Sequence, residues 1–355
     1  MSRILITGGT GFIGSRLAMR CVHSGDVVRV LAQTNTPAER RNAAELQAVG
    51  VDLIIGSITD PTAVSDACSG IRTVYHLAAA QHEANVPDSY YHEVNVQGTR
   101  NLLAAAAGAR VARFVHGSTI GVYRSGNRTA MTDEAPLEPD NIYGATKLEG
   151  ENVVRAYADT LNTTIVRISE TYGPGDGRLL KLFRAASIGR LFRIGDGRNL
   201  HHPVYIDDLV DGLRLAAIDQ RTRGATFVLA GPSPVTTDQM VDAISYAVGR
   251  TPPRVRVPLW PLTLAATVLE ASFRPLGVQP PLHRRRMNFF VKNYQFSGDA
   301  ARAFIGYQPF VDFPQGAALA AAWYRSQNLL PPERQEARHT TAGAAEGETR
   351  HHLMR

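Results

Sequence analysis

The chain has 355 residues, 44% of them apolar and 20% charged, a balance that excludes a wholly disordered or collagen-like chain. Its net charge is +6, from 38 basic and 32 acidic residues, with lysine only at Lys147, Lys181 and Lys292. No zinc-finger spacing, basic heptad or RNA-binding motif accompanies that charge, so nucleic acid is not an expected partner.

Cys21 and Cys68 are too few for a disulfide framework or a zinc site and read as core residues. A strand pattern begins at Arg3, leaving no room for a signal peptide. No stretch approaches the roughly 18 apolar residues of a membrane span. A cytoplasmic protein is expected.

Six short apolar and β-branched runs are the predicted strands: Ile4–Thr7, Val27–Leu31, Val51–Ile55, Thr73–Leu77, Arg113–Gly117 and Thr164–Ile168. Most are continuous rather than alternating, the pattern of parallel strands covered on both faces. Helical segments lie between them: Phe12–Ser24, Pro37–Val49, Thr62–Ser69, Asp88–Ala107 and Ile142–Thr160, with Asp60 and Pro61 as the N-cap and first position of the third. This alternation predicts an α/β fold, a doubly wound parallel Rossmann sheet with a smaller C-terminal substrate-binding domain.

The expected dinucleotide-binding domain covers residues 1–170, with a return segment near 200–230. Residues 171–330 are expected to be mainly substrate-binding. They include a Gly/Pro loop at 172–177, a strand at Phe227–Ala230 and a helix at Thr237–Val248. Leu259–Leu269 is an apolar run flanked by Arg254, Arg256 and Arg274. It reads as a packed helix, as a lid over a lipid-like substrate, or as peripheral contact with a membrane surface. Residues 331–355 lack apolar periodicity and read as a disordered tail.

Thr7-Gly-Gly-Thr-Gly-Phe-Ile-Gly14 follows the first strand and opens a helix. Gly8, Gly11 and Gly14 suit a tight turn, close approach of backbone to a pyrophosphate, and helix–strand packing. The phosphates would face unpaired N–H groups at a helix N-terminus. The second strand runs on through Gln33 with neither the acid that binds the NAD ribose nor the arginine that favours NADP, so the cofactor is NAD or NADP.

Tyr143 and Lys147 stand at i and i+4, on one face of a helix. A neighbouring ammonium favours the phenolate, and such a tyrosine can exchange a proton with a carbinol oxygen. The fifth strand ends in His116-Gly-Ser118-Thr119, whose hydroxyls can reach the same place. His82 and Glu83 follow the fourth strand, at the edge where open sheets bind ligands. The histidines lack metal-ligand spacing, so no metal is expected.

Together with these elements, His76-Leu-Ala-Ala79, Asn95-Val-Gln-Gly-Thr99, Thr171-Tyr-Gly-Pro174, Val204-Tyr-Ile-Asp-Asp208 and the segment Asp299 to Pro309 make the chain resemble an extended short-chain dehydrogenase/reductase of the NAD-dependent epimerase/dehydratase superfamily, over about residues 3–330. Within 275–325 the likeness is to 3β-hydroxysteroid dehydrogenase-like members. The resemblance implies that Tyr143 is the acid/base and that Lys147 orients the ribose and lowers the tyrosine pKa. Thr119 or Ser118 is the hydroxyl partner, with Thr119 favoured by the alignment on Val122-Tyr123. The cofactor residues implied are Gly8, Gly11, Phe12, Ile13, Gly14, Gln33, Ser57, Ile58, Leu77, Ala78 and Ala79, with Tyr143 and Lys147.

Four positions depart from the family pattern. Ser57 replaces an acid that contacts adenine. Glu170 stands where nucleotide-sugar enzymes place asparagine near the diphosphate, and His201 where they place an arginine clamp, although Arg284, Arg285 and Arg286 could replace that clamp. Thr119-Ile-Gly121 replaces the Thr-Asp-Glu of sugar 4,6-dehydratases, which argues against dehydration. His82, Glu83, Glu170 and His201 are the candidate substrate contacts.

The expected function is an NAD(P)-dependent oxidoreductase interconverting a secondary alcohol and a ketone on an apolar, steroid- or lipid-like small molecule. The alternatives are a 4-epimerase acting on a nucleotide- or lipid-linked sugar with the same residues, and a non-catalytic dinucleotide sensor. A homodimer is compatible with the sequence.

Overall fold

The computed structural model describes residues 2–81, 86–124, 131–132, 134–273 and 287–332. Strands β1 (Arg3–Thr7), β2 (Val27–Ala32), β3 (Asp52–Ile55), β4 (Thr73–His76), β5 (Arg113–Thr119), β6 (Thr163–Ile168) and β7 (Thr226–Leu229) form one sheet in the order β7-β6-β5-β4-β1-β2-β3. Every neighbouring pair is parallel. Four of the five β1 residues and all four of β4 are buried, as continuous apolar runs require when helices cover both faces.

Helices α1 (Phe12–His23), α2 (Pro37–Ala48), α3 (Pro61–Cys68), α4 (Asp88–His92), α5 (Thr99–Gly108) and α6 (Ile142–Arg155) connect the first six strands. Local chemistry fixes their starts. Thr36 and Glu39 form a reciprocal capping box on α2, with Pro37 following the cap. Asp60 caps α3 and Pro61 opens it. At the other end of α3, the Arg29 guanidinium donates to the carbonyls of Asp66, Ala67 and Ser69, adding to the bond that the Ser69 N–H gives Asp66 O.

Residues 88–107 are not the single α-helix that the periodicity predicts. A π-helical turn, Glu93–Gly98, separates α4 from α5. Within it the Asn95 side chain turns onto the chain leaving β4: Oδ1 accepts from Ala80 N at 2.8 Å, and Nδ2 donates to Ala80 O at 3.0 Å. The same amide donates to Thr146 Oγ1 on α6. These bonds give a physical reason for the interruption, since π-bulges let a side chain leave the regular helical face.

Among the described residues, the remaining helices are α7 (Leu180–Ser187), α8 (Ile206–Ile218), α9 (Thr237–Ala247), α10 (Leu259–Phe273), α11 (Asp299–Ile305) and α12 (Phe313–Ser326). Short strands join them, including Glu170–Tyr172 parallel to Pro203–Tyr205 and Leu200–His201 antiparallel to Val235–Thr236. One face of the sheet shares a continuous core with α1, α8, α9 and α12, through Leu17, Leu209, Ile244 and Tyr324. The other is packed by α3, α5 and α6, through Val64, Leu102 and Val154. Cys21 and Cys68 are fully buried, one in each core. Among the described residues, no helix is long and apolar enough to cross a membrane.

Candidate functional site

The strand order reverses between β1 and β4, the point where open α/β sheets form a crevice at their carboxyl edge. Here Thr7, the last residue of β1, lies opposite Leu31 of β2 and His76 of β4. A cleft of about 750 Å³ opens beyond that edge. The glycine loop forms its floor. Gly8 has φ +71°, and a Cβ there would stand 2.7 Å from Ala78 N. A Cβ on Gly14 would stand 2.3 Å from Gly8 O. No side chain caps the N-terminus of α1, so its first N–H groups face the cleft beside Gly11, Phe12 and Ile13.

The structure brings most of the sequence-predicted site residues to this cleft. Gly8, Gly11, Phe12, Ile13, Gly14, Gln33, Ser57, Ile58, Leu77, Ala78, Ala79, Ser118, Thr119 and Tyr143 all line it. A bare N-terminus over a floor that tolerates no Cβ at Gly8 or Gly14 is a cradle for an extended diphosphate. The residues present therefore fit a nicotinamide dinucleotide.

Tyr143 and Lys147 come from α6, whose N-cap Asn141 accepts from Gly144 N at 3.0 Å. Gly144 lets this first turn press against the chain behind Thr119; a Cβ there would lie 2.4 Å from Gly121 O. Lys147 is 2% exposed and sits one turn behind Tyr143. Burial pulls its ammonium down to about 8, partly countered by Glu151. Its Nζ donates to His116 Nε2 at 3.4 Å. Burial, with the Lys147 charge, also pushes His76 down to about 3 and His116 well below the usual histidine range, so both rings are neutral.

The two candidate hydroxyls differ. Ser118 donates to Glu151 Oε1 at 2.6 Å in a buried cluster. There Glu151 also accepts from Arg167 Nε at 3.0 Å, Arg167 Nη2 at 2.8 Å and Arg155 Nη2 at 2.7 Å. Burial would raise the Glu151 carboxyl, but these bonds and the Arg167 charge hold it below the usual range. Thr119 Oγ1 accepts from Gly121 N at 3.1 Å, which leaves its proton for another acceptor.

Glu170 and His201 do not line the cleft, although their neighbours Ser169 and Thr171 do. His201 is 2% exposed and pairs through Nδ1 with Glu170 Oε1 at 3.0 Å, while its Nε2 meets Thr237 Oγ1 at 3.0 Å. Burial would raise the Glu170 carboxyl, but His201 and the His202 N–H hold it low. His82, Glu83 and Arg284 to Arg286 lie outside the described residues. Among the described residues, no group of three or more His, Cys, Asp or Glu could hold a metal ion.

Sequence reasoning missed the far wall, Ser169, Thr171, Asp176 and Arg178. Asp176 is 2% exposed and accepts from Arg178 N and Nε, which fixes an arginine beside the cleft. The Gly/Pro composition of 172–177 marked a loop; nothing local marked where it folds back.

The profile of the NAD dependent epimerase/dehydratase family matches residues 4–230. A 2-alkyl-3-oxoalkanoate reductase of Stenotrophomonas maltophilia is 32% identical, over 88% of this chain and 97% of that protein. A 3 beta-hydroxysteroid dehydrogenase/Delta 5-->4-isomerase of Mycobacterium tuberculosis is 29% identical, over 95% of this chain and 94% of that one. The crystal structure of the dTDP-glucose 4,6-dehydratase DesIV from Streptomyces venezuelae, with NAD bound, superimposes with a TM-score of 0.75. It is 28% identical, over 94% of this chain and 100% of that chain.

Proposed function

The chain belongs to the NAD dependent epimerase/dehydratase family, and from that premise we propose that this NAD(P)-dependent enzyme interconverts a secondary alcohol and a ketone on an apolar substrate, with Tyr143 moving the proton. The observation that carries the reading is Tyr143 on the cleft wall, one helical turn from a buried lysine and beside the strand end that carries Thr119. The glycine loop and the α1 N-terminus would hold the pyrophosphate, and Gln33, Ser57 and Ile58, on the same cleft, would hold the adenosine. When bound, the nicotinamide supplies or accepts the hydride.

The residues divide the remaining work. Lys147 favours the tyrosinate and orients the ribose, and its removal from water keeps that charge poorly screened. Thr119 holds the substrate oxygen with the proton that its bond from Gly121 leaves available. Ser118 is tied to Glu151, and it braces the strand end rather than touching substrate. In the reducing direction Tyr143 donates its proton to the carbonyl oxygen; in the oxidising direction it takes the proton back.

Three features support an apolar substrate. Two of the three relatives named above carry the names of a 2-alkyl-3-oxoalkanoate reductase and a 3 beta-hydroxysteroid dehydrogenase, the third being a dTDP-glucose dehydratase. A diphosphate approaching Glu170 would meet a like charge, and the buried His201 beside it is occupied by Glu170 and Thr237. On α10, Trp260, Leu264 and Val268 are 70%, 58% and 55% exposed at four-residue spacing, a stripe that the core does not absorb.

The test is NADH or NADPH oxidation with 2-alkyl-3-oxo compounds and 3-oxosteroids, run beside UDP- and dTDP-sugars. Net reduction of an apolar ketone is expected. Epimerisation of a nucleotide sugar with retained cofactor, and no reduction of any apolar ketone, would overturn the reading in favour of a 4-epimerase.

A further inference from the structure

Behind the cleft lies a buried polar layer that the mechanism above does not use. His76, at the end of β4, is clamped by Thr7 Oγ1 at 2.8 Å on Nδ1 and by Thr99 Oγ1 at 2.9 Å on Nε2. Thr99 gives its own proton to Asn95 O at 2.7 Å, so it accepts from His76 Nε2–H, and Thr7 donates to His76 Nδ1. The His76 ring packs against His116 at a centroid distance of 5.1 Å. His116, on β5, meets Lys147 Nζ at 3.4 Å, and both are at most 2% exposed.

An ammonium has only donors, so His116 Nε2 accepts and the ring proton sits on Nδ1. Among the described residues, nothing pairs with that Nδ1. Leaving a buried donor unpaired is unfavourable, and an apolar side chain of similar size would avoid it. The nitrogen that gives the imidazole its use here is Nε2. We propose that His116 is a positioning residue for Lys147, whose Nε2 holds the ammonium against β5, the strand that ends in Thr119.

The proposal rests on the reading of Lys147 given above and adds the residue that fixes where its charge stands. The groups around Lys147 are Tyr143 and Glu151 one turn away on α6, His116 from β5 and His76 from β4. Arg155 lies further along α6, and Arg167 of β6 acts through Glu151. Glu151 is already engaged by Ser118, Arg155 and Arg167. Without His116 the attraction left for Nζ among these groups is that carboxylate, which Ser118, Arg155 and Arg167 already share.

With three lysines in the chain, 13Cε-lysine NMR of the full-length protein can follow Lys147 alone, its signal identified by its loss in Lys147→Met. Three variants separate hydrogen bonding from packing. His116→Phe keeps a ring and removes the acceptor. His116→Gln places an amide oxygen near the position of Nε2, and His116→Asn places one near Nδ1. Losing the acceptor disfavours the charged form, so the Lys147 titration midpoint should fall by about one pH unit in the Phe and Asn variants. The Gln variant should stay near wild type, and the alkaline limb of kcat with an apolar ketone should move in parallel. An unchanged midpoint in His116→Phe, or equal midpoints for Gln and Asn, would overturn the proposal. The Gln–Asn contrast decides the matter where the Phe variant does not fold. Full turnover in Lys147→Met would remove the reading of Lys147 itself, a result that the NMR midpoints do not depend on.

Discussion

Burial makes Lys147 costly as well as useful. Its ammonium titrates at about 8 in the folded chain, against about 10.4 in an unfolded one. Between those values the unfolded chain binds more protons, so raising the pH through this window favours the fold; below it the desolvation cost is carried in full. Lys147→Met should therefore be at least as stable as wild type in urea at pH 7, with its advantage shrinking as the pH rises from about 8 toward 10. Turnover should drop on the order of 10²-fold or more. A variant clearly less stable than wild type at pH 7 would mean that the ammonium is well paired rather than merely confined.

Gly11 makes a second prediction at this scale. Its backbone is extended, which valine tolerates, and an added Cβ meets only Gly8 O at 3.2 Å. Gly11→Val should fold and yet lose calorimetric binding of both NAD and NADP, because a branched side chain would stand where the pyrophosphate meets backbone. Unchanged affinity would remove the glycine loop from the cofactor site.

At the level of single elements, α6 carries one functional stripe: Tyr143, Lys147 and Glu151 follow each other at four-residue steps. The spacing of the first two is plain in the sequence. The third has the same spacing and is missed, because a glutamate on a helix ordinarily faces water. Only the tertiary fold shows that Arg167, apparently an odd residue within an apolar strand, is 2% exposed and forks onto it. Glu151→Gln would leave Arg167 a buried charge with half its partner gone. Such losses cost about 3–5 kcal/mol. Urea unfolding at pH 7 should show that loss. It should narrow as the pH falls below about 4.3, because the Glu151 carboxyl is held low in the fold and wild type surrenders the same contribution on protonation. A change under about 1 kcal/mol at pH 7 would contradict a buried ion pair.

The π turn at Glu93–Gly98 was illegible for a similar reason. Its cause is the Asn95 bonding to Ala80 and Thr146, distant in sequence by 15 and 51 residues. The starts of α2 and α3, by contrast, follow from residues within the first turn: Thr36, Pro37 and Glu39, then Asp60 and Pro61.

For the whole molecule, the first 170 residues were readable because most strands are buried apolar runs and helices connect them, three of which, α2, α3 and α6, start at side-chain caps. The parallel order and the cleft then follow from connection rules rather than from side-chain detail. The later part resisted. Strands such as Arg193–Ile194 and Leu200–His201 are two residues long and exist only through their partners. The pairing of Glu170 with His201 joins positions 31 apart. Both residues stood out as departures from the family pattern, but that they face each other was visible only in the fold.

The claim on which the functional account turns is that Tyr143 moves the proton to and from an apolar ketone. The direct measurement compares wild type and Tyr143→Phe for kcat with a 2-alkyl-3-oxo substrate, alongside the calorimetric Kd for the reduced cofactor. The ring keeps its packing and loses its transferable proton, so kcat should fall by about 10²-fold or more while Kd stays within about 2-fold, a free-energy change of only a few tenths of a kcal/mol. A phenylalanine variant that turns over at the wild-type rate would contradict the account.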